Sequence, residues 1–104
     1  MYPPNTRAQK TDATYESAAR LSHVMAAPIR LKILHWLNES EKDVSQLLAV
    51  VQTTQPNMSQ HLNTLFQAGI VGKRRVGTHI FYHVNDEHIV AICEAIYRLP
   101  MPLS

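Results

Sequence analysis

Between Thr54 and Asn63 the chain gathers Gln55, Asn57, Ser59, Gln60, His61 and Asn63, a dense set of neutral hydrogen-bonding side chains. Ordinary solvated helix faces are built mainly from Lys and Glu, whereas amides and hydroxyls can read a surface of donors and acceptors. Gln and Asn bond bidentately to adenine, Ser and His reach purine or phosphate acceptors, and a long apolar side chain can touch a thymine methyl. A few residues on, Lys73-Arg74-Arg75 forms a compact basic run, with Thr78 and His79 shortly after it. Such a cluster of cations suits a phosphate backbone.

These groups need elements to hold them. Met58, Leu62, Leu65 and Phe66 recur at three- and four-residue spacing, which predicts a helix with one apolar stripe and the hydrogen-bonding face around the rest. Gly69 ends that helix, Ile70-Val71 begins a strand, and Val76-Gly77-Thr78 is the loop of a hairpin. Its second strand, His79 to Val84, alternates Ile80, Tyr82 and Val84 with His79, Phe81 and His83. Upstream, Asp43 with Gln46 three residues later matches a capping box ahead of Leu47, Leu48 and Val51. Two short helices joined across Gln52-Thr53 form a helix-turn-helix.

Two further helices precede this pair. One runs from about Asp12 to Met25, capped by Thr11 or Asp12, with Tyr15, Ala18, Ala19, Ser22 and Met25 on one side. The other starts at Pro28, whose missing N–H costs nothing in a first helical turn, and carries Ile29, Ile33, Leu34 and Leu37 as its core stripe. A last helix, capped by Asn85 or Asp86, runs to about Leu99. Its stripe of Ile89, Ile92, Ile96 and Leu99 is too long for a small domain to cover alone, which makes it the expected dimer interface. The chain is thus mainly α with a small β-hairpin, in the order α-α-α-α-β-β-α. Residues 1–10 are expected to be a flexible arm, 11–99 the folded domain and 100–104 a tail.

Composition narrows the function. A chain of 104 residues with 45% hydrophobic content makes one domain with a modest core and no large interdomain cleft, which disfavours an enzyme. No Gly-rich phosphate loop, useful carboxylate pair or Ser or Cys nucleophile motif is present. The formal charge is only +2, so nucleic-acid binding must come from local clustering. The single cysteine, Cys93, excludes an internal disulfide framework and any multi-cysteine metal site. No apolar run approaches the roughly 18 residues of a membrane span, and Met1 to Arg7 lack the apolar core of a secretory signal, so the cytoplasm is the expected location.

Two blocks carry a family resemblance. Met25-Ala26-Ala27-Pro28-Ile29-Arg30-Leu31-Lys32-Ile33-Leu34 and Thr54-Gln55-Pro56 through Ser59-Gln60-His61-Leu62, followed by Ala68-Gly69-Ile70-Val71, resemble the ArsR/SmtB family of winged-helix repressors. Ala27 departs from the acidic cap of many relatives. The resemblance implies a winged helix-turn-helix that dimerises through its terminal helices and holds two recognition helices about one DNA turn, roughly 34 Å, apart over an imperfect palindrome. On it, Gln55, Asn57, Ser59, Gln60 and His61 go to the major groove and Thr54 to a phosphate near the helix N-terminus. Lys73, Arg74, Arg75, Thr78 and His79 belong to the wing, on phosphate or in the minor groove. The dimer interface is expected at Tyr15, Ala18, Ser22, Ile89, Ile92, Cys93 and Ile96.

The same resemblance directs attention to effectors. Where arsenic and lead sensors hold thiolates, Asp43 and Ser45 stand in place of cysteines. Of the zinc-type site, Asp86-Glu87-His88 keeps the first ligand pair, while the later positions fall at Leu99 and Pro102, which bind no metal. Cys93 reads either as a small buried apolar residue or as a thiol near the dimer axis. No metal and no cofactor is therefore expected, and the effector is left unassigned. The competing reading is a winged-helix module that binds protein, which should carry apolar residues where this chain has amides and arginines.

Overall fold

The computed structural model describes residues 10–100. Apart from Lys10 and Pro100, the arm expected over 1–10 and the tail expected over 100–104, Pro102 included, lie outside them. In chain order the elements are α1 (Asp12–Met25), α2 (Pro28–Glu39), α3 (Val44–Val50), α4 (Gln55–Gln67), β1 (Val71–Val76), β2 (His79–Val84) and α5 (Glu87–Tyr97).

Local chemistry sets most boundaries. Thr11 caps α1, its side-chain oxygen accepting from the Thr14 N–H. Pro28 opens α2 as the helix's first residue. At α3 the capping box is complete: Asp43 Oδ1 accepts from the Gln46 N–H at 2.8 Å, and Gln46 Oε1 accepts from the Asp43 N–H at 2.9 Å. Helix α4 stops in a Schellman motif. Gly69 adopts φ +78°, the Ile70 N–H reaches Leu65 O and the Gly69 N–H reaches Phe66 O, each at 3.0 Å. The last helix is capped by Asp86 and ends at Tyr97, two residues short of the expected Leu99.

The strands pair antiparallel from Val71↔Val84 to Val76↔His79. Gly77, at φ +62°, takes the first position of the two-residue turn, where only glycine enters that conformation freely. One pairing was not foreseen. Lys42, just before α3, bridges to Tyr82 through both backbone bonds, Lys42 N–H to Tyr82 O at 3.1 Å and Tyr82 N–H to Lys42 O at 2.8 Å. The outer side of β2 is thereby covered and the wing is tied to the start of the helix-turn-helix.

The core is one cluster of Met25, Ile33, Leu34, Leu37, Leu47, Val51, Met58, Leu62, Leu65, Ile70, Val71, Ile89 and Cys93. It draws on every helix and the first strand, and α4 is seated against α1, α2, α3 and β1. Ile89 and Cys93, expected in the dimer interface, are corrected by this arrangement. They are 8% and 3% exposed because α5 turns that side onto its own protomer. Ile92, 44% exposed, and Ile96 lie on the adjacent side, lining a groove with Leu21, Ser22, Met25, Ala26 and Leu31.

Candidate nucleic-acid interface

Helix α4 buries Met58, Leu62 and Leu65 completely and turns Ser59, Gln60, Asn63 and Gln67 to solvent. A helix spaced at 3.6 residues per turn leaves no other choice once the apolar stripe is seated. Asn63, not among the residues expected in the groove, belongs with this outward group. Gln55 is exposed in the first turn.

Thr54 and Asn57 are partly committed to the protein. Thr54 Oγ1 accepts from the Asn57 N–H at 3.3 Å as the N-cap, which leaves its hydroxyl proton uncommitted by this bond. The Asn57 amide donates from Nδ2 to Thr53 Oγ1 at 2.7 Å. His61 sits half-buried on the flank of α4, where its Nδ1 accepts from Arg30 Nε at 3.1 Å. Burial first, and the nearby Arg30 charge second, push its pKa below the ordinary histidine value. Arg30, in α2, was missed as a contributor to this region because its partner lies 31 residues away.

The wing's three cations are not equivalent. Arg74 donates from Nε to Glu41 Oε2 at 2.8 Å and pairs through Nη2 with Glu41 Oε1. The hydrogen bond from Arg74 holds the Glu41 carboxyl below the usual carboxylate range, and the same bond raises the guanidinium. Lys73 instead places Nζ 4.3 Å from the centre of the Phe66 ring, and Arg75 donates from Nε to Gly77 O at 3.2 Å; both keep their charge uncompensated by these contacts. Thr78 and His79 are exposed at the hairpin tip, with His79 Nδ1 3.3 Å from Asp43 Oδ2. Asp43 thus joins the α3 cap to the wing.

Replacing Glu41 with glutamine should free the Arg74 charge. If the wing lies on phosphates, the salt dependence of DNA binding steepens by about one unit, and affinity at moderate salt rises roughly three- to tenfold. A titration of fluorescent duplex across salt concentrations measures both, and an unchanged slope would place Arg74 away from DNA.

Asp86, His88 and Cys93 make local contacts of their own. Asp86 Oδ1 accepts from the His88 N–H at 2.8 Å and lies 2.8 Å from His88 Nδ1, which holds its carboxyl below the usual range. Among the described residues no group of three or more His, Cys, Asp or Glu stands close enough to hold a metal ion. Burial pushes the Cys93 thiol up, and the neighbouring Tyr97 hydroxyl donates to Leu31 O at 2.8 Å. No helix of the described residues is long and apolar enough to cross a membrane.

Comparison with known proteins agrees with this geometry. Residues 27–73 match the family of bacterial regulatory proteins called arsR. The transcriptional repressor SmtB of Mycobacterium tuberculosis is 36% identical over 77 residues, 74% of this chain and 57% of its own length, so the chain spans little more than half of that relative. HlyU of Vibrio cholerae, described as a transcriptional activator, is 31% identical over 91 residues, 88% of this chain and 84% of its own. Its solved structure superposes with a TM-score of 0.78 at 30% identity, covering 85% of this chain and 96% of that one. The homodimeric winged helix-turn-helix DNA-binding domain of a possible ArsR-family regulator from Mycobacterium bovis, solved by NMR, superposes at 0.74 with 25% identity, over 85% of this chain and 84% of that one. With this sequence likeness, and with a wing that follows the helix-turn-helix directly, the chain belongs to the arsR family of bacterial regulatory proteins.

Proposed function

We propose that the protein is a homodimeric transcriptional repressor that binds double-stranded DNA in the cytoplasm, at an operator of two inverted half-sites. The observation that carries this reading is the outward face of α4, made of Ser59, Gln60, Asn63 and Gln67 with no large apolar residue among them. The large exposed apolar side chains lie elsewhere, on α1, at the end of α3, at the wing tip and along α5. That distribution supports base-edge reading by α4 and disfavours a protein-binding recognition helix. Gln55, Gln60 and Asn63 then read bases, Thr54 grips a phosphate, and Lys73, Arg75 and Thr78 extend the grip along the backbone. Tyr15, Ala18, Ser22, Ile92 and Ile96 form the dimer contact; the homodimeric state of the relative from Mycobacterium bovis supports a dimer. Occupying the operator blocks transcription, as the name of SmtB describes for that protein.

Gln60→Ala tests the groove assignment. It should weaken binding to the preferred duplex by about 1–3 kcal/mol while leaving a scrambled duplex unaffected. Competition binding with the two duplexes measures the difference, and equal affinity of variant and parent for the preferred duplex would remove Gln60 from the groove.

A further inference from the structure

His61 stands on the flank of α4 with an arginine as its hydrogen-bond partner. Its Nδ1 accepts a hydrogen bond from Arg30 Nε at 3.1 Å, and Arg30 is itself anchored by Nη1 donating to Val24 O, at the end of α1, at 2.6 Å. A guanidinium is a donor only and never loses its proton. The Nδ1 facing it must therefore carry a lone pair, and the imidazole proton must sit on Nε2. An imidazolium would point a second N–H at the guanidinium, so protonation would cost the bond and set two cations together.

Nε2 is open. Among the described residues no buried side-chain nitrogen or oxygen lacks a partner, and no hydrogen bond is formed at Nε2 of His61, so this atom meets solvent. The ring stands on the flank of α4 rather than on the outer face with Gln60 and Asn63. A donor at the flank of a helix lying in a groove meets the bordering sugar–phosphate strand before it meets a base edge.

We propose that Arg30 is a positioning residue that locks His61 in the neutral, Nε2-protonated tautomer, so that His61 offers an uncharged N–H donor to a phosphate oxygen of bound DNA. This rests on the DNA-binding function proposed above. Of the charged groups on the elements packed against α4, Arg30 is the one that acts on the ring, and the lowered pKa of His61 agrees with the geometry. A neutral donor positions the helix without releasing a counterion, so His61 adds nothing to the salt dependence of binding at pH 8, well above the ordinary histidine value.

The test has two parts. In the free wild-type protein, long-range ¹⁵N–¹H correlation spectra of the imidazoles at pH 8 should show His61 with a proton on Nε2 alone. In Arg30→Met, checked for folding by thermal melting, the two tautomers should mix and the ring's pKa should rise toward the ordinary histidine value without reaching it, because burial still lowers it. On DNA, His61→Asn, whose amide stops short of the Nε2 position, should bind about tenfold more weakly to preferred and scrambled duplexes alike, and His61→Gln, whose longer amide reaches it, should recover most of that loss. If Arg30→Met does not fold, the wild-type spectra and the Asn and Gln pair decide the matter. An Nδ1-protonated or mixed tautomer in the wild type would overturn the role of Arg30. Equal binding by the Asn and Gln variants would overturn the phosphate contact, as would a loss confined to the preferred duplex, which would put His61 on a base. Because the spectra need no DNA, a wild-type protein that binds no duplex fails the proposed function, and with it the phosphate contact, without altering the assigned tautomer.

Discussion

Ile92→Glu is expected to leave the protomer folded, abolish the dimer and weaken operator binding by two orders of magnitude or more. Ile92 is 44% exposed in the protomer, so its replacement removes little from the internal core. It lies beside Ile96 on α5, across a groove from Leu21, Ser22 and Met25 of α1, where a second copy would bury it. An interface related by a two-fold axis repeats every residue, so one substitution places two carboxylates in the same apolar contact. Neither would have a partner to offset its desolvation. The effect on DNA is then multiplied, because linking two half-site readers raises affinity by about 10²–10⁴ over one alone. Sedimentation velocity gives the mass, circular dichroism the fold and anisotropy the affinity. A variant that remains dimeric would move the interface off α1 and α5.

Leu62→Ala should produce the largest loss of stability, about 2–5 kcal/mol. Leu62 is fully buried, as are Met58 and Leu65 to either side of it on α4. Removing three carbons there costs the transfer free energy of those atoms and leaves a cavity, because Met58 and Leu65 are fixed by the same helix and cannot close around it. The damage falls where α4 rests on the rest of the core, so the seating of the recognition helix loosens with the fold. Gln60→Ala, two residues earlier and on the solvent side of the helix, should change stability by no more than about 0.5 kcal/mol. Urea unfolding separates the two. A Leu62→Ala midpoint close to that of the parent would mean that the apolar side of α4 is not packed as described.

The elements were legible wherever the signal is local. Pro28, the Asp43–Gln46 box and Gly69 act within a few residues of their own backbone, and each marks the boundary that its chemistry requires. The 3.6-residue stripe of Met58, Leu62 and Leu65 likewise determines which side of α4 faces out. What escaped the sequence are contacts across long stretches of chain. Glu41 meets Arg74 across 33 residues, Arg30 meets His61 across 31, and Lys42 pairs with Tyr82 although nothing around it reads as a strand. These three contacts divide the wing's cations into a compensated Arg74 and the remaining Lys73 and Arg75, fix the proton of His61, and tie the wing to α3. The apolar arc of α5 posed a different difficulty. Ile89, Ile92, Cys93 and Ile96 are all spaced for one broad stripe, and periodicity does not say which edge of it packs inward. Only the packing of α2 and β2 against α5 assigns Ile89 and Cys93 to the core and leaves Ile92 exposed.

Selection of bound duplexes from a random pool tests the central claim most directly. A homodimer reading DNA through two copies of α4 should enrich an inverted repeat whose half-sites are centred about one helical turn, roughly 10 base pairs, apart. No enrichment over the starting pool, or enrichment of a single asymmetric site, would contradict it.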